Sequence, residues 1–287
     1  MLKKLLPLVP YGEDVRVYVE PYCGGASLFF AKRPHPVEVL NDLDERVVTL
    51  FRVLQEPEEF ARLKHRLQYT PYARAELVRA IRILQEGGSA ADIAWALFVA
   101  ANQSMSGLTT GQSPLSWSYV FVSGDGVAKN CNRWLMRLAH LDDWHRRLLM
   151  AQIDCRDALE VIRYWDSPVT FFYLDPPYVP EARKGRRLYA VEADLAHHEA
   201  LVQTLLGIQG MALLSAYAHP VYQPLEEAGW ERRDWPTVSH TAVRNRRNGL
   251  QGAGSALAKV PRVESVYISP RLAERLRTTR ATLLLGA

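Results

Sequence analysis

The sequence predicts an α/β fold in which a mostly parallel sheet is interrupted by a helical insertion. Two observations predict it. Short runs rich in Val, Tyr and Phe alternate with amphipathic helical patterns near both ends of the chain. Between them the periodicity is mostly helical over residues 58–149, so residues 1–57 and 150–287 are expected to form one α/β domain around that insertion.

Val15 to Val19 reads as a strand that runs into a glycine turn, Glu20-Pro21-Tyr22-Cys23-Gly24-Gly25, with a helix starting over Ala26 to Lys32. Val37 to Leu40 is a second strand ending at Asn41-Asp42, and Asp44 is placed to cap a helix through Leu54. Phe60 to Leu67, Arg74 to Glu86, Ala90 to Ala101 and Leu135 to Leu149 carry helical periodicity, separated by a polar stretch from Asn102 to Asn130. Met150 to Ile153 is read as a strand, Ala158 to Tyr164 as a helix, and Val169 to Leu174 as a strand ending at Asp175. A helix over Glu192 to Leu206, a strand over Met211 to Ser215, a helix over Val221 to Ala228 and strands at Trp230 to Trp235 and Val263 to Ile268 complete the pattern. Arg244 to Lys259, rich in Gly, Ala, Asn and Arg, reads as a loop.

Bulk composition excludes several classes. With 48% hydrophobic and 23% charged residues in 287, the chain has ample core for a globular fold and is not a disordered polymer. The three cysteines show no paired spacing, so neither a disulfide framework nor a zinc site is expected, and no metal is called. Nothing is long and apolar enough to span a bilayer, and the apolar start from Met1 to Pro10 is too short and proline-broken for a signal peptide. A cytoplasmic location is the expectation. Net charge is +4, and its distribution is more telling than its size. Arg183, Lys184, Arg186 and Arg187 form one cluster, and Arg244, Arg246 and Arg247 another, which suits phosphate contacts.

The chemistry is carried by Asp175-Pro176-Pro177-Tyr178. An exocyclic amine on a purine is a poor nucleophile because its lone pair is delocalised into the ring. A carboxylate at Asp175 and a carbonyl at Pro176, held by the restricted prolines, can accept from both N–H groups and localise that pair. Tyr178 offers a face for an extruded base. Buried unpaired acceptors are costly, so such a site selects a base with an amine to donate. In Glu20–Gly25 the glycines permit close backbone approach, and the acidic Glu20 suits an ammonium rather than a phosphate. Asp42, at the next strand end, can accept from ribose hydroxyls. Asp157 fits either an acceptor for a cofactor amine or a helix N-cap, and the two readings stay open.

These motifs resemble the Dam-like (D12, or alpha-group) DNA adenine-N6 methyltransferases over about Leu5 to Pro270. Val19 to Ser27 is similar to that family's cofactor loop, Asn41-Asp42-Leu43-Asp44 to its ribose motif, and Asp175 to Glu181 to its catalytic motif. Thr70-Pro71-Tyr72 and Gln103 to Gly107 resemble recurring parts of its helical insertion, Asp157-Ala158-Leu159 the segment before the catalytic strand, and Leu214 to Tyr217 and Arg262 to Tyr267 two later segments. Members usually begin with an aromatic Gly-Gly-Lys segment that contacts the cofactor, and this sequence starts at Met1-Leu2-Lys3-Lys4-Leu5-Leu6-Pro7, about where that segment ends.

The resemblance implies a Rossmann-like S-adenosylmethionine-dependent methyltransferase fold, with a mixed seven-stranded sheet and a helical target-recognition insertion. It implies base flipping of adenine from double-stranded DNA, Asp175, Pro176, Pro177 and Tyr178 as the catalytic set, and Glu20, Pro21, Tyr22, Gly24, Gly25, Asp42 and Asp157 around the cofactor. Within the insertion, Asn102, Gln103, Ser104, Ser106, Thr109 and Gln112 are the candidates for base edges. A bacterial or phage origin, a role in restriction–modification and a monomeric state accompany the resemblance as expectations. Two alternatives are an amine methyltransferase of ribosomal RNA, disfavoured by the long insertion, and a binding module without activity, disfavoured by the intact Asp175–Tyr178 motif.

Overall fold

A computed structural model describes residues 1–104, 117–119, 128–179, 193–238 and 261–285. The chain opens with α1 (Leu2–Leu5) and a 3-10 turn at Leu6–Leu8, where the sequence showed only an apolar run; Leu5, Leu8 and Val9 are buried. Strand β1 (Val17–Glu20) leads through the glycine turn into α2 (Ser27–Ala31), then β2 (Val37–Asn41) and α3 (Glu45–Gln55). Asp44 caps α3 as expected, its carboxylate accepting from the Arg46 N–H. The helical stretch comprises α4 (Pro57–Gln68), α5 (Arg74–Glu86), α6 (Ala90–Gln103), α7 (Lys129–Ala139) and α8 (Leu141–Leu148). Then come β3 (Gln152–Asp154), α9 (Ala158–Trp165), β4 (Thr170–Leu174), α10 (Leu195–Leu206), β5 (Met211–Tyr217), α11 (Gln223–Glu227), β6 (Glu231–Val238), β7 (Pro261–Ile268) and α12 (Pro270–Leu285).

The seven strands form one mixed sheet in the order β3-β2-β1-β4-β5-β7-β6. The first five are parallel, while β7 runs antiparallel to both β5 and β6. This is an α/β architecture compatible with a Rossmann-like fold. The period of two along the strands sorts side chains onto two cores. Tyr18, Leu40, Phe171, Tyr173 and Leu213 face α2 to α8 and α12, whereas Val19, Val39, Phe172, Leu174 and Leu214 face α9, α10 and α11. Much of the insertion joins the first layer directly, through Phe60, Trp95, Trp134 and Leu148, while Leu77, Ile81 and Ala100 form a small cluster of their own between α5 and α6.

Several boundaries differ from expectation. Leu135 to Leu149 is not one helix, because the chain turns at His140 between α7 and α8. The turn lets Leu141 and Leu148 reach the core while Leu135 and Met136 stay exposed. Val221 to Ala228 divides into a 3-10 turn at Pro220–Tyr222 and α11, with a proline in the first turn of each. The strand expected from Met150 starts at Gln152, since Met150 and Ala151 still bond back to the carbonyls of Arg147 and Leu148. The Arg244–Lys259 loop and Glu192 lie outside the described residues.

At the start of β5 the backbone must cross β4 closely. Gly210 N–H and Gln209 N–H both donate to Asp166, and a Cβ at Gly210 would lie 2.8 Å from the Thr170 carbonyl oxygen. The neighbour is backbone and cannot rotate away. Gly210→Ala is therefore expected to destabilise the fold by about 1–3 kcal/mol, the range for an overpacked site, read as a lower urea midpoint.

Candidate active site

The sheet order reverses at β1: one connection runs outward to β2 and β3, the other to β4 and β5. In open parallel sheets this switch point leaves a crevice beyond the carboxyl ends of the two adjacent strands. β1 ends on Glu20 and the turn after it carries Pro21 to Gly25, and the turn after β4 carries Asp175 to Tyr178. Two segments 155 residues apart thus meet around one cavity of about 740 Å³, a size ordinary for a small-molecule site.

Of the expected cofactor residues, Glu20, Pro21, Tyr22, Gly24, Gly25, Asp42 and Asp157 all line this cavity. The loop is held from below. Gly24 takes a positive φ of 47° and donates its N–H to Asp42 Oδ2 at 2.8 Å, while Asp42 Oδ1 accepts from the Asp44 N–H at 2.9 Å. Burial pushes the Asp42 carboxyl upward despite these donors. Asn41, which opens the segment similar to the ribose motif, ties neighbouring turns together: its Nδ2 donates to the carbonyls of Pro21 and Arg156, and its Oδ1 accepts from the Arg156 N–H. The helix-cap reading of Asp157 holds, since Oδ1 accepts from Leu159 N–H at 2.9 Å and Glu160 N–H at 3.3 Å. Asp157 also forms part of the cavity wall, so the cap does not remove it from the site.

Glu20 is 1% exposed, and burial pushes its carboxyl up to about 7. Hydrogen bonds from the Tyr18 hydroxyl and the Phe29 N–H and the charge of Lys32 oppose that rise, and Asp175 adds to it. A buried carboxylate on the wall of an apolar cavity is suited to a cationic ligand group. Apolar side chains of Leu5, Val47, Leu50, Phe51 and Leu97, with Met1 and Leu2, form the rest of the wall.

At the other end, Asp175, Pro177 and Tyr178 line the cavity, whereas Pro176 is buried behind it. The Asp175 carboxyl is also pushed up to about 7, by the surrounding protein first and by Glu264 of β7 second, and the Tyr173 hydroxyl opposes the shift. Because Asp175 presents open surface to the cavity, water there screens it, and the full rise belongs to a cavity emptied of bulk water. The Tyr178 ring lies 4.3 Å, centroid to centroid, from that of Tyr217 at the end of β5. Tyr217 and Glu264 lie in the two later segments similar to the family's, without a role assigned by the sequence. Tyr217 ends β5, the strand beside β4, and Glu264 is its register partner on β7. His197 in the first turn of α10 was missed outright; its Nε2 pairs with the Tyr22 hydroxyl at 2.7 Å on the cavity wall.

The base-edge candidates fare differently. Gln103 is fully buried, its Oε1 accepting from the Ala73 N–H and its Nε2 donating to the Pro71 carbonyl. It serves the α4–α5 connection and is not available to DNA in this arrangement. Ser104 is likewise buried, bridged through its backbone to Trp117. Asn102 donates to the Phe98 carbonyl of its own helix. Ser106, Thr109, Gln112, Arg183, Lys184, Arg186, Arg187, Arg244, Arg246 and Arg247 lie outside the described residues. An exposed basic row that sequence reasoning passed over is present on α7: Lys129, Arg133 and Arg137, four residues apart, make no ion pair among the described residues. Among those residues there is no metal-ligand cluster, and no helix is long and apolar enough to cross a membrane.

No family model matches the chain, and no curated protein matches it.

Proposed function

We propose that this chain is an S-adenosylmethionine-dependent methyltransferase acting on the N6 amine of adenine in DNA. The observation that carries the reading is one cavity at the switch point lined by Glu20, Asp42 and Asp157 together with Asp175 and Tyr178, the last packed on Tyr217. The residues suit the cofactor chemically. Glu20 is an acceptor for its ammonium, Asp42 for ribose hydroxyls and Asp157 for the adenine amine, while the apolar wall accommodates the thioether portion. When bound, S-adenosylmethionine supplies an electrophilic methyl group on a sulfonium.

The protein's part is to hold the nucleophile. Tyr178, backed by Tyr217, stacks on an extruded adenine. The Asp175 carboxylate accepts one N–H of the amine and localises its lone pair. As the nitrogen becomes positive, Asp175 is the nearest base to take the surplus proton, which its raised proton affinity favours. Positioning and preorganised acceptors supply most of the rate. Double-stranded DNA is the proposed partner, with the row on α7 added to the basic clusters as phosphate contacts.

The test is transfer of a labelled methyl group from S-adenosylmethionine to unmethylated genomic DNA, read as N6-methyladenine by mass spectrometry, with ribosomal RNA as competitor. Methyl in RNA rather than DNA would overturn the substrate assignment, and no transfer to either would overturn the reaction. The same assay checks a pH dependence. Glu20 and Asp175 act as anions and both are pushed up to about 7, so transfer is expected to rise as pH increases through about 7.

A further inference from the structure

Behind Glu20 lies a buried polar chain that the proposed reaction does not use. The Tyr18 hydroxyl and the Phe29 N–H both donate to Glu20 Oε1, which makes Oε2 the oxygen available to a ligand. The Lys32 ammonium sits 3.7 Å from the centroid of the Tyr18 ring, on its face. No part of the Lys32 or Glu38 side chain is exposed, and the two form an ion pair. Lys32 also donates to His35 Nδ1 at 3.0 Å and to the Arg33 carbonyl at 3.2 Å. His35 Nε2 donates in turn to the Pro10 carbonyl, which assigns its tautomer, and burial with the Lys32 charge pushes the imidazole down to about 4, so it is neutral. On the far side, Arg147 of α8 grips Glu38 with both terminal nitrogens, at 2.5 and 2.8 Å, and also donates to the Phe29 carbonyl.

We propose that Tyr18 and Lys32 are positioning residues for Glu20, holding it as an aligned, anionic acceptor for a cationic group in the cavity, with Glu38 and Arg147 anchoring Lys32. That the cationic group is the ammonium of S-adenosylmethionine rests on the function proposed above. A phenol whose ring faces a buried cation is polarised into a stronger donor, and hydrogen-bonded chains of this kind reinforce one another. The arrangement also accounts for a lysine with no solvent contact, since a buried ammonium is costly unless its neighbours pair it. Among the ionisable groups that face Glu20, Asp175 beyond β4 disfavours its anion and Tyr18 and Lys32 favour it, while Tyr173 and Cys23, whose own ionisation Glu20 opposes, stay neutral beside it. Glu38 is bound to Lys32 and Arg147 and is neutralised by them.

The test follows the carboxyl carbon of Glu20 by NMR in the full chain labelled with ¹³C-glutamate, its signal assigned by Glu20→Gln. In Tyr18→Phe, which removes one oxygen, and in Lys32→Met, the titration midpoint of Glu20 is expected to rise by one unit or more, and Lys32→Arg should return it towards the parent value. A one-unit rise from about 7 takes the ionised fraction at pH 7 from about a half to about a tenth, so calorimetry should show roughly fivefold weaker S-adenosylmethionine binding there. Affinity should recover at higher pH, which a merely structural defect would not produce. If Lys32→Met fails to fold, Tyr18→Phe decides alone. An unmoved Glu20 midpoint in folded Tyr18→Phe overturns the proposal. Shifted midpoints in a protein that binds no S-adenosylmethionine at any pH would uphold the network and overturn only the identity of the ligand.

Discussion

Asp175→Ala is expected to lower methyl transfer by about 10²–10³-fold, the loss typical when a preorganised group at the reacting atom is removed. The reasoning is geometric first. Asp175 follows the last residue of a fully buried strand and lines the cavity with Tyr178, whose ring packs on Tyr217, and the other carboxylates among the described lining residues, Glu20, Asp42, Asp44 and Asp157, come from other segments. Cofactor binding should survive, because Glu20, Asp42 and Asp157 are untouched. It should even ease slightly at neutral pH, since the charge of Asp175 is one of the influences that push the Glu20 carboxyl up. Asp175→Asn keeps one acceptor oxygen but turns an amide N–H towards an amine that must itself donate, so an intermediate loss is expected. Initial rates with labelled cofactor give the first quantity and calorimetry the second. Full activity in Asp175→Ala would remove the basis for the assignment.

The parts of this site that were legible in the sequence are those where one residue type at a strand end has one sensible use. Glu20 and Asp175 follow β-branched and aromatic runs, and a parallel sheet brings two such ends together wherever its order reverses. What the sequence hid is non-local. Ala73, at the start of α5, has no polar side chain, and its N–H donates to Gln103 Oε1, 30 residues later. In sequence, Gln103 sits at the junction of an apolar helix and a polar loop, where it resembles surface. His140 turns the chain between two helices whose summed periodicity mimics one. Lys32 and Glu38 resemble an ordinary solvated pair six residues apart, and only the return of Arg147, 109 positions beyond Glu38, encloses them.

That enclosure makes Glu38 the residue whose loss should cost most stability. Its carboxylate receives Lys32, both terminal nitrogens of Arg147 and the His35 N–H at 3.1 Å. Burial pushes its carboxyl up, but the hydrogen bonds from Arg147 and Lys32 outweigh burial and hold it below its ordinary value. Glu38→Ala leaves two enclosed cations without their anion, and breaking such a pair from one side costs about 3–5 kcal/mol. Urea unfolding at pH 7 measures it, and a variant as stable as the parent would contradict the prediction. The pH dependence gives an independent check. A group whose folded-state proton affinity is depressed binds fewer protons folded than unfolded, so stability rises with pH between its folded and unfolded values. Burial already lowers Lys32 to about 8 with Glu38 present. Without Glu38 the value falls further and that window opens at lower pH. The variant should therefore regain stability relative to the parent as pH rises towards about 8, where Lys32 gives up the proton that no longer has a partner, and the two should change in parallel above that value.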